Sequence, residues 1–97
     1  MTKLYYVYMM TNSHHTVLYT GVTGNIEARG WQHKSRLVKS FTKRYNVTKM
    51  IYAECYDNVH EAIAREKQIK GWKRKKKEQL INKVNPDWKD IYEESFS

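Results

Sequence analysis

The chain is poor in the residues that staple or punctuate a fold. Among 97 residues there are one cysteine, one proline and four glycines. A single cysteine excludes a disulfide framework and fits a reducing compartment, so a cytoplasmic location is expected. Cys55 lies in an apolar run and is expected to be a small buried hydrophobe. No uncharged stretch approaches the roughly 18 residues that a membrane span needs. The opening MTKLYYVYMMTN has no long apolar core and no small-residue cleavage site, so no signal peptide is expected. There is no internal repeat and no linker composition, and the length suits one domain over 1–97 rather than two. Acidic residues are the other shortage. Ten Asp and Glu against 18 Lys and Arg leave a net charge of +8. A domain this basic points to a polyanionic partner, nucleic acid ahead of an anionic membrane surface.

What is abundant is tyrosine, with eight. A tyrosine packs its ring and still offers a hydroxyl. Residues 4–10, LYYVYMM, read as a strand, and VLYTGV at 17–22 reads as a second. The polar TNSHHT between them suits an antiparallel hairpin, although it lacks a glycine for its turn. Its adjacent His14 and His15 are a weak signal for a metal site against a solvated loop. Asn25 is a plausible N-cap for a helix over 26–37, which Gly30 weakens by about 1 kcal/mol relative to alanine. VKSFTKRYN at 38–46 has no clear periodicity and reads as a loop, and TKMIYAECY at 48–56 reads as a third strand. Asn58 and Glu61 form a capping-box pattern ahead of a helix whose inward stripe is Val59, Ala62, Ile63 and Ile69. After Gly71, WKRKKKEQLINKV resumes as a helix. Pro86 keeps Asn85 out of the helical region, and a last short helix is expected over 87–93. The order β-β-α-β-α-α gives an α+β fold, a three-stranded sheet flanked by helices.

Several polar residues fall on faces that should be apolar. Ile26, Arg29, Gly30, His33 and Leu37 share one helical face by spacings of three and four. Glu66 lies within the inward stripe of the later helix, where a carboxylate is costly unless it is paired or bound to a cation. One reading is a buried Arg29–Glu66 ion pair holding two helices together. Tyr6 and Tyr8 share a strand face, and a hairpin would bring Tyr8 close to Tyr19. The other reading is a phosphodiesterase site. That chemistry needs a group to deprotonate water, a cation for the developing phosphate charge and a carboxylate for a metal. The run REKQIKGWKRKKK supplies Arg65, Lys67, Lys70, Lys73, Arg74, Lys75, Lys76 and Lys77 for phosphate contacts, with Lys43, Arg44, Tyr45 and Trp31 adding charge and stacking.

With these residues in order, the sequence resembles the GIY-YIG endonuclease family, closest to its small bacterial stand-alone members. The first motif stands as Tyr6-Val7-Tyr8 and the second as Tyr19-Thr20-Gly21. The resemblance extends through YTGVTGNIEARGWQHK, FTKRY, AIAREKQIKGWKRKK and NPDW, nearly the whole chain. It implies a metal-dependent endonuclease acting on DNA ahead of RNA, structure-selective, with repair or recombination as the setting. It also implies that Glu66 holds one Mg²⁺ or Mn²⁺, that Tyr19 or Tyr8 activates water, and that Arg29 binds the phosphate. His33 would assist either, and Asn85 would support the site from outside. The sequence departs from the pattern at Tyr6, where the family has glycine, at Thr20, where it has isoleucine, and at Val22, where repair-type members carry lysine. The competing readings are a non-catalytic nucleic-acid-binding protein that keeps the fold, and a protein-interaction module with an acidic partner. Oligomeric state is not legible.

Overall fold

The computed structural model describes residues 3–35 and 44–96. Leu37 and Lys43 lie outside them, as does most of the expected loop. The elements are strand β1 (Tyr5–Thr11), strand β2 (Leu18–Thr23), helix α1 (Ile26–Lys34), strand β3 (Lys49–Tyr56) and helices α2 (Val59–Lys70), α3 (Arg74–Val84) and α4 (Ile91–Phe96). The sheet is antiparallel in the order β2-β1-β3, so β1 is central and the other two are edges. The α+β expectation and the three-stranded sheet therefore hold.

Alternation along β1 divides the core in two. Val7 and Met9 face a cluster with Ile51, Ala62, Ile69, Ile81 and Trp88, where α2 and α3 pack. Tyr8 and Met10 face a second cluster with Val47, Met50 and Tyr92. Between Met9 and Met10 the register with β3 skips Ile51, a bulge in the edge strand. None of the helices among the described residues is long and apolar enough to cross a membrane.

Local chemistry explains the boundaries. The Asn25 side chain accepts from the Ala28 amide, and Asn58 accepts from the His60 and Glu61 amides, as N-caps do. Helix α1 ends at Lys34 rather than at 37, with Ser35 as its cap. The last helix begins at Ile91, not 87. Trp88 takes a left-handed φ of 51°, and the Asp90 carboxylate accepts from the Tyr92 and Glu93 amides, so the chain cannot enter a helix before Asp90. In the hairpin loop His15 adopts φ 56° in place of the missing glycine. The loop is held by Asn12, whose side chain bonds the Thr16 amide and hydroxyl.

Three expectations about burial are corrected. Cys55 is exposed, because it lies near the end of edge strand β3, opposite Tyr6. Ile63 is 37% exposed, because the inward stripe of α2 runs through Ala62 and Ile69, which brings Glu66 inward instead. His15 is not a solvated loop residue. Its ring stacks on Trp88 with centroids 4.9 Å apart, and its Nε2 lies 3.0 Å from Lys49 Nζ.

Candidate active site

The hairpin register opposes Tyr8 to Gly21 and Met10 to Tyr19, so Tyr8 and Tyr19 are diagonal neighbours on one face. Their ring centroids are 6.2 Å apart. Helix α1 crosses that face and delivers His33, whose ring lies 5.8 Å from Tyr8 and 5.6 Å from Tyr19. The Tyr8 hydroxyl and His33 Nε2 are 3.2 Å apart, a buried hydrogen bond. Arg29, one turn earlier on α1, is half-buried and acts on the Tyr8 hydroxyl at close range. The glycine of the second motif has a steric cause. A Cβ at Gly21 would stand 2.5 Å from the Tyr8 hydroxyl oxygen, so only glycine lets the phenol lie across β2.

The electrostatics separate the two aromatic acid–base groups. Burial pushes the Tyr8 phenol well up, the Tyr19 phenol adds to this, and Arg29 only partly offsets them. Tyr8 keeps its proton at neutral pH. Burial and then the Arg29 charge push His33 down to about 4, so its imidazole is neutral at neutral pH. Its Nδ1 is buried and has no hydrogen-bond partner among the described residues. An orphaned buried N–H is rarer than an orphaned acceptor, which favours the tautomer with hydrogen on Nε2, donating to Tyr8.

Glu66 arrives from the opposite side. Helix α2 packs against all three strands on the Val7 face, and Glu66 shares the inward stripe of Ala62 and Ile69. Its carboxylate pairs at 3.2 Å with Lys70, one turn along the same helix, and not with Arg29. The buried Arg29–Glu66 pair is thus corrected: the two residues stand on helices covering different faces of the sheet. Tyr19 and Gly21 point to one face of edge strand β2, while Thr20 and Val22 point to the other. The phenol cluster lies on one face of this edge strand, and helix α2, which carries Glu66, packs on the other.

Among the described residues no three His, Cys, Asp or Glu side chains converge into a metal site, His14 and His15 included. Glu66 offers one hard carboxylate. Mg²⁺ retains several waters and takes one or two carboxylates plus substrate phosphate, so this donor suits such an ion and not a closed zinc centre.

Asn85 belongs to a different structure. Its side-chain amide donates to the Ile51 and Lys89 carbonyls at 2.8 and 2.9 Å, tying the end of α3 to β3. The basic run is divided in use. Lys70 pairs with Glu66, while Arg74 pairs with Glu78 and donates to the His15 and Thr16 carbonyls. Lys73, Lys75, Lys76 and Lys77 make no ion pair among the described residues. Exposed Arg44 lies over the Tyr45 ring at 5.6 Å.

One polar cluster escapes the sequence reading. Glu54 on β3 accepts from the hydroxyls of Tyr52 and Tyr56 and from Arg65, whose Nε and Nη2 lie 2.9 Å from its two oxygens. Burial opposes the charge of Glu54, but Arg65 and the two phenols outweigh it and hold the carboxyl below its usual range. The signal was the period-2 pattern Tyr52, Glu54, Tyr56.

Residues 4–79 match the family model of the GIY-YIG catalytic domain. A UPF0213 protein of Syntrophus aciditrophicus is 41% identical over 83 residues, covering 84% of this chain and 93% of that one. A UPF0213 protein of Clostridium perfringens is 35% identical over 91 residues, covering 94% and 91%. One of Haloquadratum walsbyi is 34% identical over 80 residues, covering 82% and 89%. The solution NMR structure of the UPF0213 protein of Bacillus halodurans aligns with a TM-score of 0.58 at 23% identity, over 97% of this chain and 99% of that one, a likeness of fold.

Proposed function

For a chain that belongs to the GIY-YIG family, we propose an endonuclease that hydrolyses phosphodiester bonds with one divalent ion, Mg²⁺ or Mn²⁺. Its substrate is DNA ahead of RNA, at structured or single-stranded sites ahead of plain duplex, in repair or recombination. The observation that carries this reading is the convergence of two phenols, Arg29 and His33 at the foot of one hairpin. Tyr19 is the better base for the attacking water. It is half-buried, whereas burial holds the proton on Tyr8. Tyr8 and His33 form a neutral hydrogen-bonded pair that orients Tyr19 and keeps a second positive charge away from Arg29. Arg29 binds a phosphoryl oxygen and offsets its charge as the transition state forms. The phosphate lies across the free edge of β2, with the phenols and Arg29 on one side and Glu66 on the other. Bound at Glu66, a divalent ion would neutralise charge gathering on the phosphoryl oxygens. Lys73, Lys75, Lys76 and Lys77 hold neighbouring phosphates, and Lys43 and Arg44 add phosphate contacts of their own. Asn85 acts through the anchoring of α3. The exposed thiol of Cys55 suits a reducing cytoplasm.

A second reading, a nucleic-acid-binding protein without catalysis, draws on two observations. Lys70 already occupies one oxygen of Glu66, and Val22 stands where repair-type members carry lysine. Nicking of supercoiled, branched and single-stranded DNA and of RNA, with Mg²⁺ or Mn²⁺, decides between them. Cleavage by the parent that disappears in Glu66→Ala, with binding retained, is the expected outcome. Binding without cleavage by the parent on every substrate selects the second reading.

A further inference from the structure

Trp72 stands between α2 and α3 and has no part in the tyrosine cluster. The indole is half-buried, with part of its surface on the Val7 core. Two cations lie against it: the Arg65 guanidinium at 5.1 Å from the ring centroid and the Lys76 ammonium at 4.4 Å. They are held differently. Arg65 is locked by Glu54 and by Gln68, whose Oε1 accepts from Nη1 at 2.9 Å. Lys76 is exposed and makes no ion pair among the described residues. Small-ligand sites commonly measure about 300–1,000 Å³, and the open groove lined by Gly71, Trp72, Lys73, Lys75, Lys76 and Gln79 has a volume of about 460 Å³. A smaller one of about 220 Å³ shares Trp72, Lys76 and Gln79 and extends toward Lys83.

An aromatic ring fixed from behind, with exposed ammonium groups around its open side, offers a base a stacking surface and its phosphates counter-charges. We propose that Trp72 is a stacking site for an unpaired base of single-stranded nucleic acid, with Lys73, Lys75, Lys76 and Lys83 taking the flanking phosphates. This rests on the nucleic-acid reading above and adds a place, a contact type and a strandedness to it. Arg65 and its Glu54 clamp hold the indole in position. Lys76 exchanges the ring for a phosphate by a change of rotamer. A paired base is already stacked on both sides within its duplex, so the site discriminates against duplex. It lies on the Val7 side of the sheet, away from the phenols, and grips the strand apart from the point of cutting.

The test uses the full chain in EDTA, so that cleavage has no part in the result. Trp31→Phe is the parent, which removes the 54% exposed indole and leaves Trp72 as the outer reporter. Trp72→Leu and Trp72→Tyr are made in it. A labelled oligothymidylate, a duplex of equal length and inorganic polyphosphate are titrated, with indole fluorescence followed in the parent. Oligothymidylate should quench the parent more than duplex does. Its affinity should fall about 5- to 100-fold in Trp72→Leu and recover to within a few-fold in Trp72→Tyr. Polyphosphate, which has the charge and no bases, should bind all three alike. Equal oligothymidylate affinity in Trp72→Leu and the parent, or an equal loss for polyphosphate, would overturn the proposal. Failure of the nuclease reading would appear only in the cleavage assay and leave these ratios intact.

Discussion

His33 shows how one buried ring makes stability depend on pH. Unfolded, it takes up a proton near pH 6.5. Folded, it does so only near 4. Between those values the unfolded chain binds more protons, so falling pH favours unfolding, by up to about 3 kcal/mol for this group. Thermal melts from pH 7 to 4 should therefore show a falling midpoint, with a shallower fall in His33→Gln; an unchanged slope would mean that the ring is protonated in the fold. Catalysis divides the two phenols. Tyr19→Phe should cost at least about 10²-fold in cleavage rate, and Tyr8→Phe distinctly less, measured on one nicked substrate with folding checked by circular dichroism. Arg29→Ala should cost about 10²- to 10³-fold. Much of this site was legible. The expected hairpin brought Tyr8 close to Tyr19, and spacing by four aligned Arg29 with His33. The position of Glu66 was not, because helical periodicity says which residues turn inward and not which face of a sheet the helix covers.

At the scale of elements, Gly30 is informative because two rules conflict. In an open helix, glycine to alanine stabilises by about 1 kcal/mol. Here a Cβ would overlap the ring of Tyr92 from α4. Lys34 of α1 also pairs with Asp90 and Glu93, so the two helices are joined by charge as well as by shape. Gly30→Ala should accordingly destabilise by about 1–3 kcal/mol, and adding Tyr92→Ala should remove that penalty, as a double-mutant cycle by denaturation would reveal. The sequence displayed Gly30 as a weakness in a helix; its partner is over sixty residues away and could not be inferred from local pattern. Helix α3 shows the reverse trade. Arg74, Lys75, Lys76 and Lys77 occupy its first turn with no acidic residue there, against the helix dipole. Lys75→Glu should raise stability by about 0.3–1 kcal/mol while weakening nucleic-acid binding. A residue that harms its own helix and serves a ligand is what the cationic run predicts.

Over the whole molecule, the net charge of +8 and the lysines of α3 that make no ion pair among the described residues predict steep salt dependence. Each phosphate neutralised adds about 0.7 to the slope of log affinity against log salt on single strands. Replacing Lys75 and Lys77 together by alanine should lower that slope by about 1.4. The fold itself was legible because hydrophobic period, caps and turn residues agreed across most of the chain. The exceptions were residues whose state depends on distant neighbours: Ile63, Cys55, and the start of α4, where the left-handed Trp88 delays the helix.

The seat that Tyr92 makes for α1 has a consequence for anyone who would move this domain. The match to the catalytic-domain model ends at residue 79, yet Ile81, Trp88 and Tyr92 are core residues. A graft of 4–79 onto another protein would carry the Arg29 and His33 helix without the Tyr92 ring against Gly30 and without Asp90 for Lys34. Chimeras designed on that boundary should be soluble only as loosely packed, inactive fragments. Those that travel with residues 80–97 as well should keep their shape.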